Sequence, residues 1–370
     1  MTDSVKFIHA SDIHLGCQQY RNSYRSDDFI RAFQEILSMA IFRNVDFIIL
    51  GGDVFTSIDM LPGKLNRIID ILTDFKDRSS IPIIAIEGNH DIRRYSKGMK
   101  FERGQSWLKV ISNLGLIVLL DADFDATPDK MFLDYNFKTK KGGKIRLKNV
   151  IIYGNRYLGE KPVDFIPKIK NAMKRDVSHF KILLQHFGIE GQMENIPGID
   201  LKYLLPLKDS VDYLALGHFH LQFTLHDWIF NPGSSEAACV MDSSYKRGIF
   251  YVEVSANSSF SKKVQMLRLS NRKHFWETIY FPKPCKNKEQ LHSFIIKKLM
   301  NTFRYFSHDL KPSDLNRPIL CLILKGKKPM KSCKIIRKEV IRLICEKFPV
   351  IDARIYEKFD DPIKKIDIYL

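Results

Sequence analysis

Short apolar runs alternate with amphipathic segments along the first third of the chain. Residues 6–9, 46–50, 81–86 and 117–120 are apolar and rich in β-branched side chains, which predicts β-strands. Residues 27–43 and 62–75 instead place apolar side chains at helical spacing, as Phe29, Phe33 and Ile36 do. Regular alternation of strands and helices is typical of βαβ units. We therefore predict an α/β protein with a large sheet whose faces are covered.

The pattern changes farther along the chain. Strand-like runs at residues 181–185, 211–216 and 248–254 continue the sheet region, with fewer helical segments between them. Beyond about residue 275, two helical and two strand-like segments alternate within a short stretch that follows Pro282 and Pro284. We predict two domains: residues 1–274, and residues 275–370 as a small α+β unit.

Composition places the protein among ordinary globular chains. Of its 370 residues 45% are hydrophobic and 27% are charged, and its longest apolar runs are long enough only for strands. The first residues lack the apolar core of a secretory signal, and the six cysteines are scattered without CxxC spacing. We expect a protein of a reducing compartment such as the cytosol.

The charge is strongly positive and unevenly distributed. Lys and Arg number 59 against 42 Asp and Glu, a net charge of +17. Residues 271–370 alone hold 23 basic and 11 acidic side chains. Such an excess favours a polyanionic partner, most often nucleic acid, although a basic surface can also serve solubility alone.

Five short polar clusters directly follow predicted strands. They are Asp12-Ile13-His14, Gly52-Asp53, Gly88-Asn89-His90, His186 and Gly217-His218-Phe219-His220. Ligand sites of open α/β sheets form at the carboxyl ends of strands, so we expect these clusters to meet. On extended backbone, Asp12 and His14 would point the same way, as would His218 and His220.

The donor types in these clusters suit metal ions. Asp, His and Asn are ligands for Mn²⁺, Fe or Zn²⁺. Seven such donors are too many for one tetrahedral ion and suit two ions that share a carboxylate. Two-metal sites of this kind clamp the attacking and leaving oxygens in phosphoryl transfer. The sequence therefore predicts a binuclear metal site.

The clusters follow the pattern D-x-H, G-D, G-N-H-[DE], H and G-H-x-H, and the chain thereby resembles the calcineurin-like metallophosphoesterase superfamily. Residues 9–16, 52–55 and 86–91 more closely resemble the nuclease subunit of the double-strand-break repair complex, the Mre-eleven family, called SbcD in bacteria. The resemblance covers about residues 5–255, and the basic unit that follows matches that family's capping domain in size and position. It implies a metallophosphoesterase four-layer α-β-β-α sandwich with a small α+β capping domain. It also implies a metal-dependent endo- and exonuclease that processes double-strand-break ends, in the cytoplasm around the nucleoid or, in a eukaryote, in the nucleus.

The resemblance further implies roles for individual residues. One divalent ion, usually Mn²⁺ in this family, would be held by Asp12, His14, Asp53 and His220. The second would be held by Asp53, Asn89, His186 and His218, with Asp53 bridging. His90 would stabilise charge at the scissile phosphate or protonate the leaving oxygen.

Thr56 departs from the family pattern. The repair nucleases commonly carry His three residues after the bridging Asp, and that His is associated with exonuclease action, whereas this chain carries Thr56 there. The departure puts processive exonuclease activity in question, but neither metal binding nor endonuclease activity.

Basic residues follow the Gly-Asn-His cluster, and we predict that they contact DNA phosphates. They are Arg93, Arg94, Lys97, Lys100 and Arg103. The resemblance implies three partners: DNA as duplex ends and single strands, a second copy of the chain bound through residues 62–75 and 105–114, and an ATP-binding-cassette repair ATPase of the Rad-fifty type. That ATPase would bind a segment C-terminal to the capping domain.

Two other functions stay open at the level of sequence. A phosphatase or cyclic-nucleotide phosphodiesterase would use the same fold and metals, but a small substrate does not require a basic capping unit. A non-catalytic DNA-binding scaffold would keep the basic surface, but the seven predicted ligands are all in place.

Overall fold

The structure, a computed structural model, describes residues 4–57, 60–92, 106–159, 161–173, 178–194, 196–256, 259–303, 317–330, 333 and 335–360. The chain forms two compact units, Met1–Ser270 and Asn271–Leu370. This division falls four residues before the predicted boundary at residue 275. None of the helices in the described ranges has the length and apolar character that a membrane crossing requires.

Within its described residues, the first unit contains two six-stranded sheets. Their strands are β1 Ser4–Ala10, β2 Phe47–Leu50, β3 Ile83–Ala85, β4 Val118–Leu119, β5 Lys144–Leu147, β6 Val150–Gly154, β7 Phe180–His186, β8 Tyr213–Gly217, β9 Phe223–Leu225, β10 Ile229–Asn231, β11 Ile249–Ala256 and β12 Phe260–Leu267. The first sheet has the order β12-β11-β1-β2-β3-β4, with β1 to β4 parallel. The second has the order β5-β6-β7-β8-β10-β9, with β6, β7, β8 and β10 parallel.

Helices cover the outer face of each sheet. They are α1 Ser23–Phe42, α2 Pro62–Arg78, α3 Trp107–Asn113, α4 Pro128–Met131, α5 Ile166–Ala172 and α6 Leu201–Leu204. Ile36 of α1 and Leu72 of α2 pack with Ile48 on the first sheet. Ile169 of α5 packs with Leu183 on the second.

The two sheets also face each other through a shared core. Phe47 and Ile84 of the first sheet pack there with Ile182 and Tyr213 of the second. Strands buried on both faces read as continuous apolar runs, and every residue of β2 and β8 is buried. The predicted four-layer α-β-β-α sandwich is confirmed.

The second unit is smaller. It contains β13 His274–Phe281, α7 Lys288–Thr302, β14 Ile319–Lys327, α8 Arg337–Lys347 and β15 Asp352–Asp360. The three strands are parallel in the order β13-β14-β15. Leu291 and Ile295 of α7 and Ile344 of α8 pack on one face of this sheet. The assignment of this unit as a DNA-binding capping domain stays a prediction.

Candidate metal centre

The loops that follow β1 and β2 run side by side and carry three of the predicted ligands. The Asp12 N–H donates to the Gly52 carbonyl at 3.0 Å, and the His14 N–H donates to the Asp53 carbonyl at 3.0 Å. Asp12, His14 and Asp53 have φ angles of 50°, 51° and 50°, in the left-handed region that L-residues rarely adopt. The extended backbone predicted for Asp12 and His14 is therefore wrong, because hydrogen bonds to the neighbouring loop hold these residues in a curled conformation. Such strained backbone is typical of functional sites.

One group of donors joins the loop after β1 to the loop after β8. Donor atoms of Asp12, His14 and His220 lie within 4.8 Å of one another. Nε2 of His14 lies 3.0 Å from Nε2 of His220, which lies 3.8 Å from Oδ1 of Asp12. Burial lowers the pKa of His14 to about 3, so its imidazole is neutral. Two imidazole nitrogens facing each other beside a buried carboxylate form a donor set that fits a divalent cation.

A second group of donor atoms lies beside the first and shares the carboxylate of Asp12 with it. Asp12, Asp53 and His186 also bring donor atoms within 4.8 Å of one another, and Nε2 of His186 lies 3.4 Å from Oδ2 of Asp53. Oδ1 of Asn89 lies 3.1 Å from Nε2 of His186 and 3.0 Å from Nδ1 of His218. The structure thus brings all seven predicted ligands together, and Asp12 is the residue common to the two donor groups.

Charge and burial shift the pKa values of Asp53 and His186 in opposite directions. Burial by itself raises the pKa of the Asp53 carboxyl, but the imidazole of His186 outweighs burial and holds that pKa below its usual range. Burial would likewise lower the pKa of His186, but the Asp53 carboxylate raises it to about 9. Asp53 is therefore ionised, which is the form in which a carboxylate binds a metal ion.

Glycines allow the loops to approach this closely. A Cβ added at Gly88 would lie 2.2 Å from Oδ1 of Asp53. Gly52 has a φ of +90°, and a Cβ there would lie 2.5 Å from Nδ1 of His186. A side chain at either position would overlap Asp53 or His186, which explains why both positions are glycine.

Hydrogen bonds to Nδ1 orient the imidazole rings of His186 and His220. Nδ1–H of His186 donates to the Gly51 carbonyl at 2.7 Å, and Nδ1–H of His220 donates to Oδ2 of Asp242 at 2.8 Å. In both residues Nε2 is left facing the other donors. Such outer partners fix the tautomer and the ring orientation of ligating histidines.

Asp242 is a functional residue that the sequence did not reveal. Its carboxylate is 2% exposed and also accepts the backbone N–H groups of Ala238 and Cys239, at 2.9 and 3.0 Å. It lies in a loop after β10, and its spacing from His220 matches no motif. The contact exists only because the loop folds back onto the site.

His90 lies at the mouth of the site and is exposed. Its ring is 5.1 Å from that of His14, and its Nδ1 lies 2.9 Å from the carbonyl oxygen of Thr56. A carbonyl can only accept, so Nδ1 carries the hydrogen and Nε2 is directed elsewhere. Asp91, the next residue, has a structural role, because its carboxylate accepts the N–H groups of Phe55 and Gly88 at 2.8 and 2.9 Å.

A cavity of about 610 Å³ opens beside the donor set. Its wall includes His218, Tyr157, Lys161 and Phe187. The Tyr157 ring lies 6.1 Å from that of His218. The volume is within the usual range for pockets that bind small molecules or parts of larger substrates.

The predicted phosphate-contacting residues Arg93, Arg94, Lys97, Lys100 and Arg103 lie outside the described residues. Their contact with DNA stays a prediction.

Comparison with known proteins gives consistent matches. The sequence profile of the family described as calcineurin-like phosphoesterase matches residues 5–222. The DNA double-strand break repair protein Mre11 of Archaeoglobus fulgidus is 27% identical over 220 residues, which are 59% of this chain and 46% of that protein. The protein of the same name from Saccharolobus solfataricus is 26% identical over 365 residues, 98% of this chain and 84% of that protein. That of Halobacterium salinarum is 34% identical over 142 residues, 37% of this chain and 33% of that protein. The chain thus spans about half the length of the first of these relatives and most of the second.

Proposed function

The chain belongs to the calcineurin-like phosphoesterase family, and we propose that it is a metal-dependent endo- and exonuclease that hydrolyses phosphodiester bonds at DNA double-strand breaks. The observation that carries this proposal is the convergence of seven oxygen and nitrogen donors, from four loops and the last residue of β7, at one place. The names of the relatives, which are DNA double-strand break repair proteins, support DNA as the substrate. The basic second unit supports it too, because nucleic-acid affinity depends on neutralising phosphates.

Members of this family use divalent metal ions, and the donors present here fit two. We assign Asp12, His14, Asp53 and His220 to one ion, and Asp53, Asn89, His186 and His218 to the other. The mixture of carboxylate, amide and imidazole donors suits Mn²⁺, which we propose as the metal. When bound, such ions would neutralise phosphodiester charge and lower the pKa of water enough to make it a nucleophile.

The chain's own residues would position the substrate and move a proton. The Thr56 carbonyl accepts Nδ1–H of His90 and so fixes the orientation of the ring. When the ring carries a proton on both nitrogens, Nε2–H can donate to the scissile phosphate or to the leaving oxygen. The Gly51 carbonyl and Asp242 hold His186 and His220 in one orientation, which removes the cost of ordering them during the reaction.

We also propose that the protein forms a homodimer and pairs with an ATP-binding-cassette repair ATPase of the Rad-fifty type. For the homodimer, the relevant surfaces are α2 and the segment around α3. Ile68 and Phe75 of α2 are buried in the chain's own core, whereas Leu61, Val110 and Leu114 are exposed apolar side chains. Light scattering of the purified chain tests the dimer, which requires twice the 43.2 kDa chain mass.

The experiment that tests the nuclease proposal is Mn²⁺-dependent cleavage of end-labelled duplex and single-stranded DNA, alongside a small phosphodiester such as bis(p-nitrophenyl) phosphate. Asp53→Asn removes the shared ligand charge, and His90→Asn removes the proton donor. His226→Asn is the matched control, because His226 is exposed in a turn with a φ of 54°, which Asn tolerates.

We expect the wild type and His226→Asn to cleave DNA, and both site variants to lose cleavage. Titration of Mn²⁺ by calorimetry separates the variants, because Asp53→Asn should lose metal affinity and His90→Asn should keep it. Hydrolysis of the small phosphodiester with DNA left intact would favour a phosphatase or cyclic-nucleotide phosphodiesterase instead. Tight DNA binding without any hydrolysis would favour a scaffold.

A further inference from the structure

The three-stranded sheet of the second unit has two faces of different chemistry. One face is apolar and packs against α7 and α8, with Ile279, Leu322 and Ile355 in the core. Side chains alternate between the faces along each strand, so the residues of opposite parity lie on the other face. The prominent members of that second set, which we call the aromatic–basic face, are Trp276, Tyr280, Lys325, Tyr356 and Lys358.

The aromatic side chains of this face are exposed in an ordered arrangement. The rings of Trp276 and Tyr356 stack with centroids 5.8 Å apart and planes at 25°. The Tyr280 ring lies against the backbone of Gly326, where an added Cβ would be 3.0 Å from ring atom Cε2. Trp276 and Tyr280 are nonetheless 43% and 57% exposed. Exposed rings of this kind offer flat faces on which a planar ligand can stack.

Lys325 and Lys358 lie directly opposite each other on adjacent strands, an arrangement that is unfavourable for the sheet by itself. In the strand register Tyr280 is opposite Lys325, which is opposite Lys358. Like charges directly opposite each other are destabilising, and an anionic ligand would relieve their repulsion. The neighbouring cation Arg354 is already paired with Asp352 at 2.8 Å. The positive charge that these cross-strand positions offer to a ligand therefore comes from Lys325 and Lys358.

We propose that the aromatic–basic face binds single-stranded DNA, with bases stacked on Trp276 and Tyr280 and phosphates contacted by Lys325 and Lys358. Exposed rings beside cations are the elements with which proteins hold unpaired strands. In a duplex the bases are stacked on each other inside the helix, so exposed rings would gain nothing from it. The inference rests on the proposed function, because it names the form of DNA that the second unit of a break-processing nuclease would bind.

The test uses the full chain in EDTA, so that binding is measured without cleavage. Labelled oligo(dT) and a duplex of equal length are titrated by fluorescence anisotropy, and tryptophan emission is recorded in parallel. We expect tighter binding of oligo(dT), with quenching of tryptophan emission. Trp276→Ala and Tyr280→Ala should each weaken oligo(dT) binding by between about 5-fold and about 100-fold. Trp276→Phe should keep most of the affinity but lose the quenching, which assigns the signal to stacking on that ring.

The lysines are tested through salt dependence. The double variant Lys325→Gln, Lys358→Gln should lower the slope of log affinity against log salt by about 1.4, because each phosphate contact on a single strand contributes about 0.7. The matched control is Lys297→Gln, Lys338→Gln, which removes two exposed lysines from α7 and α8. The control should leave the slope unchanged.

Two results would overturn the inference: equal binding of duplex and oligo(dT), or an unchanged affinity in Trp276→Ala that circular dichroism shows to be folded. Cleavage by the wild type with Mn²⁺ is measured separately. Intact cleavage without single-strand binding would reject only the role of this face. Single-strand binding without cleavage would reject the nuclease proposal and leave the face in place.

Discussion

Replacing Asp242 by Asn removes the negative charge behind His220 while keeping the shape of the side chain. Oδ2 of Asp242 accepts Nδ1–H of His220 at 2.8 Å and the N–H groups of Ala238 and Cys239 at 2.9 and 3.0 Å. The amide oxygen of Asn can accept the same three hydrogen bonds. The loop should therefore fold as before, while His220 loses a carboxylate partner and becomes a weaker ligand.

The size of the effect follows from the pKa of Asp242. Burial raises this pKa, but the hydrogen bond and charge of His220 outweigh burial and lower it from 3.8 to about 2. That net lowering corresponds to about 2 kcal/mol in favour of the charged carboxylate, to which His220 contributes most and Cys239 also contributes. Losing about 2 kcal/mol raises a dissociation constant about 30-fold. This value lies within the loss of about 10- to 100-fold that is usual when the outer partner of a metal ligand is removed.

Calorimetric titration of Mn²⁺ into metal-free protein measures the change directly. We expect Asp242→Asn to bind Mn²⁺ about 30-fold more weakly than the wild type, with part of the hydrolysis restored at saturating Mn²⁺. Asp209→Asn is the matched control, because Asp209 is exposed and belongs to neither donor group. Unchanged Mn²⁺ affinity in an Asp242→Asn protein of normal melting temperature would refute the orienting role of Asp242.

Three further predictions address the site and its support. Gly88→Ala should abolish Mn²⁺ binding in calorimetry, because the new Cβ would lie 2.2 Å from Oδ1 of Asp53; retained affinity would show that the loop can shift. Arg25→Met should lower the free energy of unfolding by about 1.5–3 kcal/mol in urea titrations, since Asp28 and Glu236 lose their shared buried partner but keep Arg31 and Arg247; a loss below about 1 kcal/mol would contradict this. Removing metal with EDTA should lower the melting temperature. Mn²⁺ at about 100 times its Kd should then restore about 2.7 kcal/mol of stability. An identical melting curve with and without Mn²⁺ would contradict a metal centre in the folded protein.

The elements of the fold were largely predictable because each depends on local pattern. The helix predicted over residues 62–75 is observed as α2, Pro62–Arg78, since its apolar spacing and the proline at its first position are both local signals. The strand predicted over residues 181–185 is β7, Phe180–His186, which is buried throughout. The predicted second domain, residues 275–370, and the second compact unit, which begins at Asn271, both have β13, His274–Phe281, as their first strand.

The sequence by itself determined the fold class and identified the seven donor side chains that the structure brings together, because both follow from short motifs at the ends of apolar strands. Only the tertiary structure decided how those donors are held. The left-handed backbone of Asp12 depends on a hydrogen bond to Gly52, and His90 is oriented by the carbonyl of Thr56, an atom that every residue type carries. Asp242 reaches His220 only after two sheets have packed and a loop has folded back between them. Contacts made by backbone atoms and by residues distant in sequence leave no local pattern, so they appear only when the chain is folded.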